Sequence, residues 1–230
     1  MRIASLLALA LVASLVSSRA SARAPDTFEE NYARPALIDS PMWWTLELKA
    51  GPYAPGNTRS LKDTFGSDRG WLLSLELDVT VVHIPKVGQF NLGAGFGWAA
   101  YDAKAKDENG FKTNEETKLL LYPLSALAVL RVDTLARETV IPLTFAGKLG
   151  ADFVRWKTTT GKRTDADGVN IGLRWAVQAA FELDFFERQT ARRMDEEWGV
   201  NHTFLLFEYF QSLTEGTGDR TFLIGLGAQY

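Results

Sequence analysis

The sequence predicts an all-β chain: an eight-stranded antiparallel up-and-down transmembrane β-barrel. Three observations carry that expectation. Apolar residues recur with a period of two in run after run. The largest aromatic rings sit at the ends of those runs. The connections between runs alternate between long polar stretches and short turns.

The clearest run is Val169 to Phe185. Its odd positions, including Val169, Ile171, Leu173, Trp175, Val177, Phe181 and Phe185, are all apolar. Its even positions include Asn170, Gly172, Arg174, Gln178, Glu182 and Asp184. A helix would scatter these residues around its circumference, whereas a strand sorts them onto two faces. Trp71 to Thr80 repeats the design, with Leu73, Leu75 and Leu77 opposite Ser74, Glu76 and Asp78. Phe90 to Tyr101 sets Phe96 and Trp98 opposite Gly93, Gly95 and Gly97, and Arg220 to Tyr230 sets Phe222, Ile224, Leu226, Ala228 and Tyr230 opposite Gly225, Gly227 and Gln229. Weaker runs at Trp43–Ala50, Lys118–Val132, Ile141–Lys157 and His202–Ser212 complete a set of eight.

A period of two fits a soluble barrel with its apolar face inward as well as a membrane barrel with that face outward. Three features favour the membrane. The runs reach or exceed the roughly 9–11 residues a tilted strand needs to cross a bilayer. Trp43, Trp44, Trp71, Trp98, Trp156 and Phe185 lie at or near run ends, where an aromatic girdle at headgroup level would place them. Three glycines on one face of one run make a weak solvent face but suit a crowded interior. The polar faces then supply an internal network from Glu47, Lys49, Glu76, Asp78, Lys148, Asp152, Arg174, Glu182 and Asp184. An unclosed sheet in lipid would strand its edge N–H and C=O groups, so the sheet is expected to close, with an even strand number and both termini on one side.

Residues 1–22 read as a secretory signal peptide: Arg2 as the positive start, an apolar run from Leu6 to Val16, and Ala20-Ser21-Ala22 as the cleavage site. Residues 23–41 carry three prolines without periodicity and read as a flexible periplasmic segment before a barrel domain at 42–230. The chain has no cysteine, which excludes disulfides and a lipid-modified cysteine. Removing Arg2 and Arg19 leaves 23 basic against 28 acidic residues, a net charge of −5, and no stretch is basic enough to suggest nucleic acid. Residues 51–70, 102–117, 158–168 and 213–219 read as external loops, those near 84–88 and 133–140 as internal turns, and 187–200 as a polar helix capping one end.

Asp133-Thr134-Leu135 before Ile141-Pro142-Leu143, then Lys148-x-Gly150, then Gly199-Val200-Asn201-His202-Thr203, resemble the small outer-membrane β-barrel domain family typified in myxobacteria and related Gram-negative bacteria. The alternating apolar residues before the C-terminal Tyr230 resemble the insertion signal of outer-membrane proteins. The resemblance implies an outer-membrane location in a Gram-negative bacterium, with barrel-insertion machinery, outer-membrane lipid and lipopolysaccharide as partners. It brings no catalytic residue.

The two histidines, His83 and His202, both fall at the periplasmic end of this threading, away from any outer-leaflet chemistry. They have no cysteine and no paired histidine at metal-ligand spacing, so neither metal nor cofactor is expected. Gly93-x-Gly95-x-Gly97 lies inside a strand pattern with no helix after it, unlike a phosphate loop. Lys104, Lys106, Lys162 and Arg163 fall in expected outer loops, where they are solvated or meet lipopolysaccharide phosphates. Three functional readings follow: a non-enzymatic barrel with a filled lumen and a structural or loop-binding role, a narrow pore for small solutes, and a soluble lipocalin-like ligand-binding barrel. If the leader is read correctly, N-terminal sequencing of the mature protein returns Arg23 first; an N-terminus at Met1 contradicts it.

Overall fold

The computed structural model describes residues 42–56, 70–106, 112–139, 141–161, 163–186 and 188–230. The expected signal peptide at 1–22 and the segment at 23–41 lie outside these residues, as does Lys162. Eight antiparallel strands form a closed barrel in sequence order. They are β1 (Trp44–Tyr53), β2 (Gly70–Ile84), β3 (Gly88–Lys106), β4 (Lys112–Val132), β5 (Leu143–Thr160), β6 (Arg163–Glu182), β7 (His202–Ser212) and β8 (Arg220–Gln229). Each strand pairs with its chain neighbours, and β8 returns to β1 from Gln229 opposite Thr45 to Ile224 opposite Ala50. The last residue continues the seam: the Trp43 and Trp44 amides donate to the Tyr230 carbonyl, and the Tyr230 amide donates to that of Trp44. The Trp44 and Tyr230 rings stack at 3.9 Å.

The strands of the middle are long. β3 to β6 run for 18 to 21 residues, while β1, β7 and β8 have 10 or 11. Much of the expected loop at 158–168 is therefore strand, and so are both flanks of that expected at 102–117. These flanks lack apolar alternation, so their sequence reads as loop even though the hairpin pairing continues through them. On the other side the connections are a turn at 85–87, a segment holding the helix α1 (Thr134–Glu138), and a longer one in which a 3-10 turn (Leu183–Phe185) is followed by α2 (Arg188–Trp198). The polar helix expected within 187–200 is α2.

The direction of the side chains settles which environment the sheet was built for. Trp71, Ile171 and Phe222 on the outer face are 72 %, 66 % and 68 % exposed, while Glu47, Asp78 and Asn91 on the inner face are fully buried. A lipocalin-like barrel needs the reverse, so the apolar internal cavity of that reading is overturned.

Two expected placements are corrected. Trp156 shares the inward face of β5 with Asp152 and Val154 and packs against an internal apolar cluster, not in an outer girdle. An aromatic at a run end fits either face, and the parity of β5 decides it. Asp184 does not reach the lumen network either. The strand ends at Glu182, and the 3-10 turn carries the Asp184 carboxylate to the His202 ring, 2.9 Å away, and to the Thr203 hydroxyl, 2.7 Å away.

Closure at the β1–β8 seam depends on Gly225. A β-carbon there would run into the Leu48 carbonyl oxygen and the Lys49 backbone. Gly225→Val is expected to cut the yield of refolded barrel several-fold, read on a gel as loss of the compact band; a wild-type yield would show that the seam tolerates a side chain.

Candidate functional site

The chemistry of the interior is concentrated in a belt across the middle of the lumen. Strand parity brings Glu47 and Lys49 from β1, Glu76 and Asp78 from β2, Arg131 from β4, Lys148 from β5, Arg174 and Gln178 from β6, and Glu208 from β7 to the same enclosed volume. The strands between them make the room. Glu47 pairs in register with Gly227, Lys49 with Gly225, Glu76 with Gly95 and Asp78 with Gly93. The Lys49 side chain lies over Gly225 and the Asp78 carboxylate over Gly93, in space a β-carbon would occupy, while Leu206 covers Gly227 and Ser125 covers Gly95.

The geometry is that of an ionic network centred on two lysines, with both Asp78 carboxylate oxygens and Arg131 Nε and Nη1 left without a hydrogen-bond partner among the described residues. Lys49 Nζ lies 2.9 Å from Glu47, 2.7 Å from Glu76 and 2.6 Å from Glu208. Lys148 Nζ reaches the same three carboxylates, at 2.7 Å from Glu47 and 2.9 Å from Glu208, and also contacts Glu76. Arg131 donates to Glu47 at 2.9 Å and lies 3.5 Å from Asp78. Arg174 closes on Glu208 at 3.4 Å and stands over the Phe210 ring. Gln178 donates to both Glu47 and Glu208. Four carboxylates meet four cations, so the belt carries no net charge, the condition under which such groups are tolerated away from water.

Apolar side chains fill the lumen on either side. Towards the loops, Tyr53, Leu72, Leu121, Val154, Phe210 and Leu223 form one cluster. Towards the termini, Phe204 and Leu206 pack with Ala180, and Gln229 donates to Gln89 at 2.9 Å. The belt's lysines and the Glu47 and Glu208 carboxylates have no solvent-accessible side-chain surface. The lumen is filled there, not open.

Of the residues expected to form the network, Glu47, Lys49, Glu76, Asp78, Lys148 and Arg174 stand in the belt. Asp152 is inward and buried but takes no part in the belt's ion pairs. Glu182 is inward at the terminal end, where Arg137 of α1 approaches it at 3.6 Å. Sequence reasoning missed Arg131, Gln178 and Glu208 as members. The signal that could have found them is parity: each alternates with outward apolar residues on its strand.

Three of the belt's carboxylates also cluster. Ligand oxygens of Glu47, Glu76 and Asp78 come within 4.8 Å of one another. Lys49, Lys148 and Arg131 already neutralise these carboxylates, and a divalent cation would add uncompensated charge. His83 is exposed beside the 85–87 turn, and His202 is held by Asp184 at the start of β7.

The outer surface carries the remaining expected features. Trp43 and Trp44 lie outward beside Tyr230 at the end where the first and last strands of the barrel begin and finish, and Phe185 is exposed on the same side. Trp71 and Trp98 lie outward at the other end. Between these rims, Leu75, Leu77, Leu92, Phe96, Leu124, Leu149, Val177, Ile224 and Leu226 make an apolar band.

No family model matches the chain, and no curated protein does. Solved structures similar to it include the attachment invasion locus protein Ail of Yersinia pestis, alone and in complex with the heparin analogue sucrose octasulfate. In the complex the identity is 10 % over 82 % of this chain and 97 % of that one, with a TM-score of 0.45. Neisserial surface protein A is similar at 10 % identity over 81 % of this chain and 97 % of that one, with a TM-score of 0.46. These likenesses concern the path of the chain, not its chemistry.

Glu47→Gln leaves Lys49, Lys148 and Arg131 short of one carboxylate charge. Removing one partner of a buried ionic group costs about 3–5 kcal/mol. The urea midpoint of the variant in lipid vesicles is expected to fall accordingly; an unchanged midpoint would mean that the belt contributes nothing to stability.

Proposed function

We propose that this chain is an integral outer-membrane β-barrel of a Gram-negative bacterium. It would be exported by a leader cleaved after Ala22, and its role would be non-enzymatic, either structural or exercised through its external loops. The observation that carries the reading is the inversion of the barrel. Its outer wall is an apolar band between two aromatic rims, and its inner wall is a neutralised ionic belt. Water does not reward that arrangement, and a bilayer does. The leader in the sequence supports export, and the even strand number, which brings both ends of the barrel to one side, fits a periplasmic location for them.

Under this reading Phe222, Ile224, Leu226, Ala228 and Tyr230 form the outward, lipid-facing strand that the insertion machinery recognises. Their alternation with buried Leu223, Gly227 and Gln229 and the pairing of Tyr230 with Trp44 fit that role. Tyr230→Ala loses the stacked ring at the seam and is expected to lower the surface level of the protein. The narrow-pore reading is disfavoured by the solvent-free belt. Planar bilayers containing the purified barrel are expected to show no discrete conductance steps.

Fractionation with a heat-modifiability gel tests the reading itself. The protein should enter the outer-membrane fraction and migrate faster before boiling than after. Recovery in the soluble periplasmic extract, with one mobility throughout, would refute it.

A further inference from the structure

The outward face of β5 holds two cations where its neighbours are still apolar. Along that face run Phe145, Gly147, Leu149, Ala151 and Phe153, none of them charged, followed by Arg155 and Lys157, both exposed. In register, Arg155 lies between Tyr122 of β4 and Val169 of β6. Lys157 lies between Leu120 of β4 and Asp167 of β6. Tyr122 stacks on Phe96, and Val169 is 59 % exposed on the outer wall. Arg155 therefore has no charged residue beside it in register. Neither Arg155 nor Lys157 forms an ion pair among the described residues. Asp167 faces Lys157 across the strand pair without reaching ion-pair distance, and Lys118, next out on β4, is engaged with Glu116 at 3.2 Å.

The height of the two cations is set by the strand. Arg155 lies ten residues beyond Phe145, about 33 Å along the strand and about 25 Å of height at a tilt of roughly 40°. That is the thickness of the apolar band of a membrane barrel, so Arg155 stands where hydrocarbon gives way to headgroups. A guanidinium with apolar neighbours on both sides at that level needs an anion from the lipid itself. Its planar fork matches phosphate oxygens two at a time, and an ammonium two residues further on adds a point charge on the same face.

We infer that Arg155 and Lys157 form a docking site for the phosphate of an outer-leaflet lipid headgroup, whose acyl chains lie along Phe153, Leu149 and Ile171. The inference rests on the outer-membrane reading above and adds the partner chemistry of one face. It differs from general attraction to basic loops, because it assigns binding to two residues on the wall and not to Lys104 or Arg163 further out.

The test uses the full mature barrel, refolded in neutral detergent micelles and titrated calorimetrically with bisphosphorylated lipid A, with lipid A stripped of its phosphates, and with inorganic phosphate. Wild type should bind the bisphosphorylated lipid saturably. Arg155→Gln/Lys157→Gln should bind it about tenfold more weakly or worse. Wild type should bind the stripped lipid no better than that variant binds the phosphorylated one. Lys104→Gln should keep wild-type affinity, and inorganic phosphate should give no saturable heat. All exchanged side chains are exposed, and retention of the faster-migrating unboiled band verifies each fold. Unchanged affinity in the double variant, an equal loss in Lys104→Gln, or inorganic phosphate binding as tightly as the lipid overturns the inference. A wild-type barrel that fractionates with the outer membrane yet shows no phosphate-dependent binding overturns it while leaving the outer-membrane reading standing.

Discussion

Closure is the constraint on which the rest of the structure depends. A sheet whose outer face is apolar cannot leave an edge of unpaired N–H and C=O groups in lipid, because nothing there replaces water as a partner. Pairing β8 with β1 removes the last edge. It also creates a second problem, an enclosed inner wall that must be filled. The chain solves both with the same residues. Gly225 lets the backbones of the seam meet and opens the space into which Lys49 extends, and Gly227 makes room for the Leu206 side chain. On the other flank Gly93 makes room for the Asp78 carboxylate and Gly95 for the Ser125 hydroxyl.

The filling is ionic at the centre and apolar towards both ends. Buried ion pairs offset their desolvation only where charges are met and well oriented, as the two lysines are and the Asp78 carboxylate is not. Here the two lysines each touch three carboxylates, and the arginines extend the network to Asp78 and to the Phe204 and Phe210 rings. Such a belt ties six strands together across the lumen, which a purely apolar filling would do without directional preference. The belt thereby fixes the strand register as well as closing the lumen to water.

The strands and their count were legible in the sequence because each has one continuous apolar face. The charged half of the belt on β1 and β2 was legible for the same reason: Glu47, Lys49, Glu76 and Asp78 alternate cleanly with Leu and Trp. Arg131 and Glu208 were not, because the inward faces of β4 and β7 are mixed. Leu127 and Val129 precede Arg131, and Leu206 and Phe210 flank Glu208, so no polar face announces itself. Trp156 was misread because size and position at a run end do not tell inward from outward. Asp184 was misread because alternation persists on paper two residues past the point where the backbone turns into the 3-10 segment. The outward ends of β3 to β6 were read as loops, since backbone pairing beyond the apolar band leaves no hydrophobic trace.

The polarity of the wall is measurable one residue at a time, because the chain has no native cysteine. Single cysteines from Leu173 to Glu182 on β6, spin-labelled in a barrel reconstituted in lipid, report collision with lipid-soluble oxygen and with a water-soluble nickel chelate. A lipid-facing outer wall and a filled lumen give high oxygen accessibility at 173, 175, 177, 179 and 181, and low accessibility to both reagents at 174, 176, 178, 180 and 182. Oxygen accessibility at the even positions, or nickel accessibility at the odd ones, would contradict that arrangement.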